Sequence, residues 1–319
     1  MITSLVESRR IARVALQVVG VTCHHRWGRF KLIYIITVHF ASPRWIDVQR
    51  RYLDRHVSTP FEVWTSLQDI DPEYGSRFTR VLDQKGRFNH ANKLNHLAAE
   101  VCDVADPEDT LVFLDGDAFP IVDLVPRLDE MLGRAPLAAV MRAENLGDRQ
   151  PHPCFCATTV ETWLRIRGDW GAAATWAVAD ARYASKTPSD SREGTVTDVG
   201  GNLLRRLEVT DTEWLPLLRS NGHDLHPMFF GIYGDLVYHH GAGFRGGENR
   251  VDRTLAHVEP VRLPSVRLSR YVTERWYQRR LGARIRRNAE ISLALFARIE
   301  SGDTTWVDEL RGAPSSQAS

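Results

Sequence analysis

The chain has few cysteines, no long hydrophobic run and almost no net charge. No apolar stretch approaches the roughly 20 residues of a membrane span. The apolar stretch 11–21 is interrupted by polar residues and is not followed by a small-residue cleavage site, so we predict no signal peptide and a cytoplasmic protein. The cysteines are too few and too irregularly spaced for a disulfide scaffold or a CxxC zinc site: Cys23, Cys102, Cys154 and Cys156.

The charge balance excludes one class of partner. Lys and Arg total 41 and Asp and Glu total 40, a formal net charge of +1, so no global field favours nucleic acid. Hydrophobic residues make up 43% and charged residues 25% of the chain, which is typical of a globular protein and excludes global disorder. The 319 residues allow one large domain or two ordinary ones.

Strand-like and helix-like segments alternate along the chain. The β-branched apolar run Lys31–Val38 predicts a buried parallel strand, and Ser42-Pro43 after it predicts a helix N-cap and first turn. Apolar residues at helical spacing from Leu94 to Val101 predict a helix that is capped by Asn89 or His90 and ends before Asp106-Pro107. Thr110–Leu114 predicts the third strand. This alternation is typical of an α/β fold with a mostly parallel sheet flanked by helices, and ligands of such sheets bind at the carboxyl ends of the strands.

The order of predicted elements along the chain suggests that it is divided into three regions. We expect a peripheral N-terminal extension over residues 1–30, a main domain over 31–260, and a basic helical extension with a polar tail over 261–319. Within the main domain, further strands are predicted at Phe61–Thr65, Leu137–Met141, Met228–Tyr233 and Leu236–His239, and further helices at Leu124–Leu132 and Asp198–Glu208.

Two aspartates follow the third predicted strand. Asp115 and Asp117 flank Gly116, and carboxylates at this spacing on a tight turn can share one hard cation such as Mn²⁺ or Mg²⁺. The alternative is a solvated loop, but the four apolar residues before the turn show that it emerges from a core strand. Haloacid-type hydrolases place a similar motif on their first strand, whereas this motif follows the third strand.

A second candidate motif is the run from His239 to Arg245, with the sequence HHGAGFR. A neutral imidazole can complete a mixed carboxylate and imidazole metal site. Its glycines allow a phosphate to approach the backbone, and Arg245 can bind that phosphate with two hydrogen bonds. The alternative is a glycine hairpin that contains a core histidine.

Together these segments resemble the nucleotide-diphospho-sugar glycosyltransferases of the GT-A fold. The run Leu111–Asp117 (LVFLDGD) resembles the metal-binding DxD strand of that family, and Asn89–Asn95 resembles the start of the helix that precedes it. Within this fold, Cys154–Trp163 and His240–Arg245 are loosely similar to segments of the glycogenin and lipopolysaccharide galactosyltransferase group. Arg245 stands two residues after Gly243, where that group has a lysine at three, and no Pro-Trp follows.

The resemblance implies a metal-dependent glycosyltransferase that transfers a sugar from a nucleotide-diphospho-sugar, a UDP- or GDP-sugar, to an unidentified acceptor. It implies Mn²⁺ or Mg²⁺ bound by Asp115, Asp117 and His240. We choose His240 over His239 because of its HxxG spacing to Gly243, and because neighbouring side chains of a strand point to opposite faces. Residues implied as donor contacts are His39, Lys93, Asp115, Gly243 and Arg245.

The catalytic base is predicted less directly. Asp198 is the first candidate, as a base or as a residue that faces the acceptor, and Asp235 and Glu144 follow it. Asp198 has a structural alternative, as the N-cap carboxylate of the helix that follows it. The alternative for His39 is a plain loop residue, and the alternative for both Lys93 and Arg245 is an ordinary surface base.

Two rival functions and one surface remain open at the level of sequence. A nucleotidylyltransferase has a glycine-rich loop after its first strand, but His39–Pro43 contains no glycine. A non-catalytic carbohydrate- or partner-binding protein with a vestigial metal site is the other alternative.

The segment Arg262–Arg287 contains nine arginines and one acidic residue, Glu274, so it suits either a peripheral membrane contact or a solvated helix face. The oligomeric state stays open.

Overall fold

The structure is a computed structural model. It describes residues 31–82, 89–143, 149–171, 176–177, 195–196, 199–221, 229–241, 287 and 290–312. The elements below all belong to one compact unit, Leu32–Ser319. The predicted boundary between residues 260 and 261 and the predicted extension over 1–30 lie outside the described residues, so this division of the chain stays a prediction.

A seven-stranded sheet forms the centre of the unit. Its strands are β1 (Ile33–Phe40), β2 (Phe61–Gln68), β3 (Arg80–Val81), β4 (Thr110–Asp115), β6 (Leu137–Val140), β7 (His152–Thr159) and β10 (Leu215–Leu217). Their order in the sheet is β10-β6-β7-β4-β1-β2-β3. Parallel pairs are β1–β2, β1–β4, β2–β3 and β6–β10, whereas β7 runs antiparallel to both β4 and β6. The predicted α/β fold with a mostly parallel sheet is therefore confirmed.

Helices cover both faces of this sheet, so β1 is buried on both sides. The helices are α1 (Ile46–His56), α2 (His90–Cys102), α3 (Leu124–Arg134), α4 (Val160–Arg165) and α5 (Gly201–Val209), with a short 3₁₀ turn at Pro72–Arg77. Ile33 and Ile35 of β1 pack in one hydrophobic cluster with residues of α1 and α3, and Tyr34 and Ile36 pack in another with residues of α2, α4 and α5. Alternate side chains of a strand point to opposite faces, which places the two clusters on opposite sides.

The two predicted helix starts have different outcomes. Of the two predicted caps of α2, Asn89 and His90, the structure has Asn89 as the N-cap, where its side chain accepts a hydrogen bond from the Asn92 N–H. The predicted cap at Ser42 is wrong, because Trp45 occupies the N-cap position of α1 and makes no side-chain cap bond.

A second sheet branches from the end of β4. Its antiparallel order is β11-β12-β5, where β5 is Ala118–Pro120, β11 is Phe229–Tyr233 and β12 is Val237–Gly241. A short two-stranded ladder joins β8 (Trp176–Ala177) to β9 (Thr195–Val196). Because β5 begins directly after Asp117, the chain leaves the main sheet at the turn that carries both aspartates.

The described C-terminal helices, α6 (residues 290–301) and α7 (Trp306–Gly312), belong to the same core. Phe296 and Trp306 are fully buried in a third cluster with residues of α1, β5, β11 and β12. Arg51 of α1 donates hydrogen bonds to the carbonyls of Ile299 and Glu300 at 2.6 and 3.0 Å. Among the described residues, no helix is both long and apolar enough to cross a membrane.

Candidate metal centre

The turn between β4 and β5 carries two carboxylates at the edge of the main sheet. The first five residues of β4 are buried, and Asp115 ends the strand partly exposed. Gly116 lies directly on the end of β1, where a Cβ atom would stand 2.7 Å from the Val38 carbonyl oxygen and 2.8 Å from His39 Nδ1. No Cβ fits at these distances, so only glycine allows the turn to lie this close to β1.

His239 of β12 lies beside both carboxylates of the turn. It pairs with Ala118 of β5, so it lies across from the residue that follows Asp117. Its Nε2 atom is 3.5 Å from Asp115 Oδ2 and 3.4 Å from Asp117 Oδ1. The backbone N–H of Gly241 donates to Asp117 Oδ2 at 3.0 Å, which leaves Asp117 Oδ1 directed at the imidazole.

Two further histidines surround the Asp115 carboxylate. His90, the first residue of α2, has its Nε2 3.0 Å from Asp115 Oδ1, the oxygen that does not face His239. His152, at the start of β7, has its Nδ1 4.0 Å from Asp115 Oδ2, and this nitrogen also accepts a hydrogen bond from the Cys154 N–H at 3.1 Å. Asp115 is therefore approached by imidazoles from three separate elements.

The electrostatics keep both carboxylates ionised. Burial alone would raise the pKa of Asp115, but the hydrogen bond and charge of His90, with smaller contributions from His152 and His239, hold it well below its ordinary value. Burial likewise opposes ionisation of Asp117, and the neighbouring His239 nevertheless keeps its pKa low. Burial lowers the pKa of His152, and nearby Arg142 lowers it further, so the His152 ring is neutral and His90 is the main partner of the Asp115 charge.

The donor atoms fit a divalent cation. One oxygen from each aspartate and one nitrogen from His239 all lie within 4.8 Å of one another. Within the described residues, these three side chains form the group that could hold a metal ion. Carboxylate oxygens suit Mg²⁺ and Mn²⁺, and an imidazole nitrogen shifts the preference towards transition metals. The ligand types and their spacing thus fit Mn²⁺ well.

The structure brings His239, and not the predicted ligand His240, to the two aspartates. The side chain of His240 leaves the other face of β12, where Nδ1 lies 2.8 Å from the Tyr238 hydroxyl and Nε2 lies 2.8 Å from the Ser292 hydroxyl. Its ring is fully buried, and burial lowers its pKa to about 3. The spacing to Gly243 favoured His240, but the register of β12 against β5 decides which side chain faces the turn, and it places His239 there.

The predicted donor contacts His39 and Lys93 both lie at this edge of the sheet, and both are buried. His39 is 3% exposed, its Nε2 is 3.2 Å from Gln49 Oε1, and burial lowers its pKa to about 4. Lys93 is also 3% exposed, and its ammonium donates a hydrogen bond to Gln68 and lies 5.9 Å from the centre of the Phe40 ring. Burial lowers the pKa of Lys93. Their contact with a donor stays a prediction.

Among the candidate bases, Asp235 is the one within the described residues, and the structure does not bring it to the two aspartates and His239. Asp235 lies in the exposed turn between β11 and β12, with its carboxylate 3.3 Å from Arg311 Nε, and therefore at the end of β12 away from His239. This position does not suit a catalytic base. Gly200 is the N-cap of α5, so the described start of this helix does not use an aspartate cap. The other predicted site residues lie outside the described residues: Glu144, Asp198, Gly243 and Arg245.

Sequence reasoning missed His90 and Gln49 as site residues. His90 follows the N-cap of a helix that starts at the ligand edge of the sheet, and this position was a usable signal. Gln49 is a polar residue on the buried face of α1, between Trp45 and Tyr52 at helical spacing, which was a second usable signal.

Comparison with known proteins identifies structural similarity alone. No family model matches the chain, and no curated protein is significantly similar in sequence. The galactosyltransferase LgtC in complex with donor and acceptor sugar analogues is 13% identical with a TM-score of 0.30, over 41% of this chain and 59% of that one. The apo glycosyltransferase GlyE of Streptococcus pneumoniae TIGR4 is 16% identical with a TM-score of 0.35, over 58% and 45% of the two chains.

A third similar structure is the mannosyltransferase PcManGT of Pyrobaculum calidifontis in complex with GDP-Man and Mn²⁺. It is 11% identical with a TM-score of 0.39, over 69% of this chain and 66% of that one. The chain spans less than two thirds of the length of the first two structures. These three similar structures are all of glycosyltransferases.

Proposed function

We propose that the protein is a metal-dependent glycosyltransferase whose divalent cation, Mn²⁺ or Mg²⁺, is held by Asp115, Asp117 and His239. The observation that carries this proposal is the convergence of two ionised carboxylates and one imidazole within 4.8 Å at the ligand edge of the main sheet. A nucleotide-diphospho-sugar, a UDP- or GDP-sugar, is the proposed donor. A cation bound there supplies charge neutralisation to a departing diphosphate.

The other proposed roles in binding and catalysis belong to residues of this chain. Asp115 and Asp117 would each offer one oxygen to the cation, because His90 and the Gly241 N–H engage their other oxygens. Lys93 and His39 line the same sheet edge and are proposed to border the nucleotide. Arg245 and Gly243 are proposed diphosphate contacts, and Asp198 is the remaining proposed base.

A thermal-shift measurement tests the proposal. A UDP-, GDP- or dTDP-sugar is expected to raise the unfolding temperature with Mn²⁺ present and not with EDTA, because the metal bridges donor and protein. A donor at about 100 times its Kd adds about 2.7 kcal/mol to the free energy of unfolding. Asp117→Asn is expected to remove the effect and to lower turnover on the order of 10²–10³-fold. Asp54→Asn is the control, since Asp54 is an exposed partner of Arg50 on α1.

Equal stabilisation by the donor in EDTA would contradict a metal-bridged site. Failure of every nucleotide-sugar to stabilise the protein, with Mn²⁺ bound, would contradict the proposed donor class and leave the metal site intact.

A further inference from the structure

A fully buried glutamine on α1 faces the turn that carries both aspartates. Gln49 is 1% exposed and lies on the same helix face as the buried residues Ile46, Leu53 and Tyr52. A buried side-chain amide is destabilising unless its hydrogen-bonding groups find partners. The partners of Gln49 therefore show what the residue does.

Both N–H groups of the amide go to the backbone on either side of the turn. Nε2 donates to the Asp115 carbonyl at 2.8 Å and to the Ala118 carbonyl at 2.7 Å. These two carbonyls lie on either side of Gly116 and Asp117. A primary amide has only two N–H groups, so the donor capacity of Gln49 is fully used. One side chain thus joins the last residue of β4 to the first residue of β5.

The amide oxygen is held in turn by β1. Gln49 Oε1 lies 3.2 Å from His39 Nε2, and because a carbonyl oxygen can only accept, this nitrogen carries the ring hydrogen. The other ring nitrogen, Nδ1, then faces Gly116, where a Cβ atom would stand 2.8 Å from it. The turn is consequently fixed by α1 on one side and by the end of β1 on the other.

We infer that Gln49 is a positioning residue for the metal centre, acting through the backbone of the turn and oriented by His39. The inference rests on the proposed metal site. Metal ligands bind with full affinity only when the groups behind them hold their geometry, and loss of such a supporting group typically costs 10–100-fold in affinity. Here the supporting group holds the backbone from which both carboxylates project.

Calorimetric titration of the full chain with Mn²⁺ tests the inference. Gln49→Met conserves the side-chain volume and removes both donors, so it is expected to raise the Kd for Mn²⁺ by about 10-fold or more. Gln49→Glu is the second variant, used if Gln49→Met does not fold. It keeps an acceptor for His39 but loses both amide donors, so it is also expected to raise the Kd for Mn²⁺.

Thr158→Val is the matched control. The Thr158 hydroxyl is also a buried donor to a backbone carbonyl, that of Pro136 at 2.8 Å, but it lies near the opposite edge of the sheet. Loss of this hydrogen bond is expected to lower the unfolding temperature and leave the Kd for Mn²⁺ unchanged. The comparison therefore separates positioning of the metal ligands from general destabilisation. A folded Gln49 variant that binds Mn²⁺ within about twofold of the wild type would overturn the inference. A wild-type chain that binds no Mn²⁺ would overturn the metal site itself and the inference with it.

Discussion

His239 and His240 are neighbours in the sequence and lie on opposite faces of β12. The Nε2 atom of His239 is 3.4 Å from Asp117, whereas the Nε2 atom of His240 is 2.8 Å from the Ser292 hydroxyl on α6. One imidazole therefore faces the two carboxylates, and the next one joins the small sheet to the C-terminal helices.

The two histidines are expected to have separable effects. His239→Ala removes one of three proposed ligands, so Mn²⁺ affinity should fall sharply with a small change in stability. His240→Ala removes a fully buried ring that contacts Trp45 and Phe230 and bonds to Tyr238 and Ser292, so it should destabilise by about 2–4 kcal/mol and retain Mn²⁺ binding. Calorimetry with Mn²⁺ and denaturant unfolding measure the two effects. Loss of Mn²⁺ binding in folded His240→Ala alone would show that the register is misassigned.

Gly116→Ala is expected to disable the metal centre. The added Cβ would stand 2.7 Å from the Val38 carbonyl, so the turn must move away from β1 and carry both aspartates with it. Mn²⁺ binding should become undetectable in a titration that measures the wild type. Gly133→Ala in the last turn of α3 is the control, because its Cβ meets nothing within 4 Å. That variant should gain up to about 1 kcal/mol from helix propensity and bind Mn²⁺ normally.

The buried histidines are expected to make the folded chain sensitive to acid. Burial lowers the pKa of His39 from 6.5 to about 4 and that of His240 from 6.5 to about 3. The unfolded chain takes up these protons below pH 6.5 and the folded chain does not, so the free energy of unfolding falls as pH drops from 6.5 towards those values. Each proton contributes at most about 1.4 kcal/mol per pH unit. Urea unfolding at pH 7 and pH 5 should show a smaller loss for His240→Gln than for the wild type, and equal losses would refute this origin.

Trp306 is expected to tie the C-terminal helices to the core. It is fully buried, its Nε1 lies 3.3 Å from the Tyr52 hydroxyl, and its ring packs against Tyr238 at a centroid distance of 4.7 Å. Trp306→Ala should lower the free energy of unfolding by about 3–5 kcal/mol. Leu293→Ala on α6 is the control, because this side chain is 51% exposed and should change stability by no more than about 0.5 kcal/mol. Similar losses in the two variants would contradict the packing of α7.

Local sequence determined much of the scaffold and the chemistry of the site. The run Leu111–Leu114 is apolar and is followed by an aspartate, so a buried strand that delivers a carboxylate to the ligand edge follows from hydropathy alone. Asn89 before a helical repeat determined the start of α2, because an Asx cap is a local interaction. The carboxylate pair around Gly116 likewise indicated a divalent cation before any contact was known.

Tertiary structure decided which side chains meet the carboxylates. Alternation along a strand requires one of His239 and His240 to face the turn, but the choice depends on the pairing of His239 with Ala118, about 120 residues away in the chain. His90 and Gln49 reach the turn from two helices, and the antiparallel direction of β7 brings His152 there. Spacing within one segment carries no information on such contacts, because they arise from the docking of separate elements whose relative register is set only when the whole core packs.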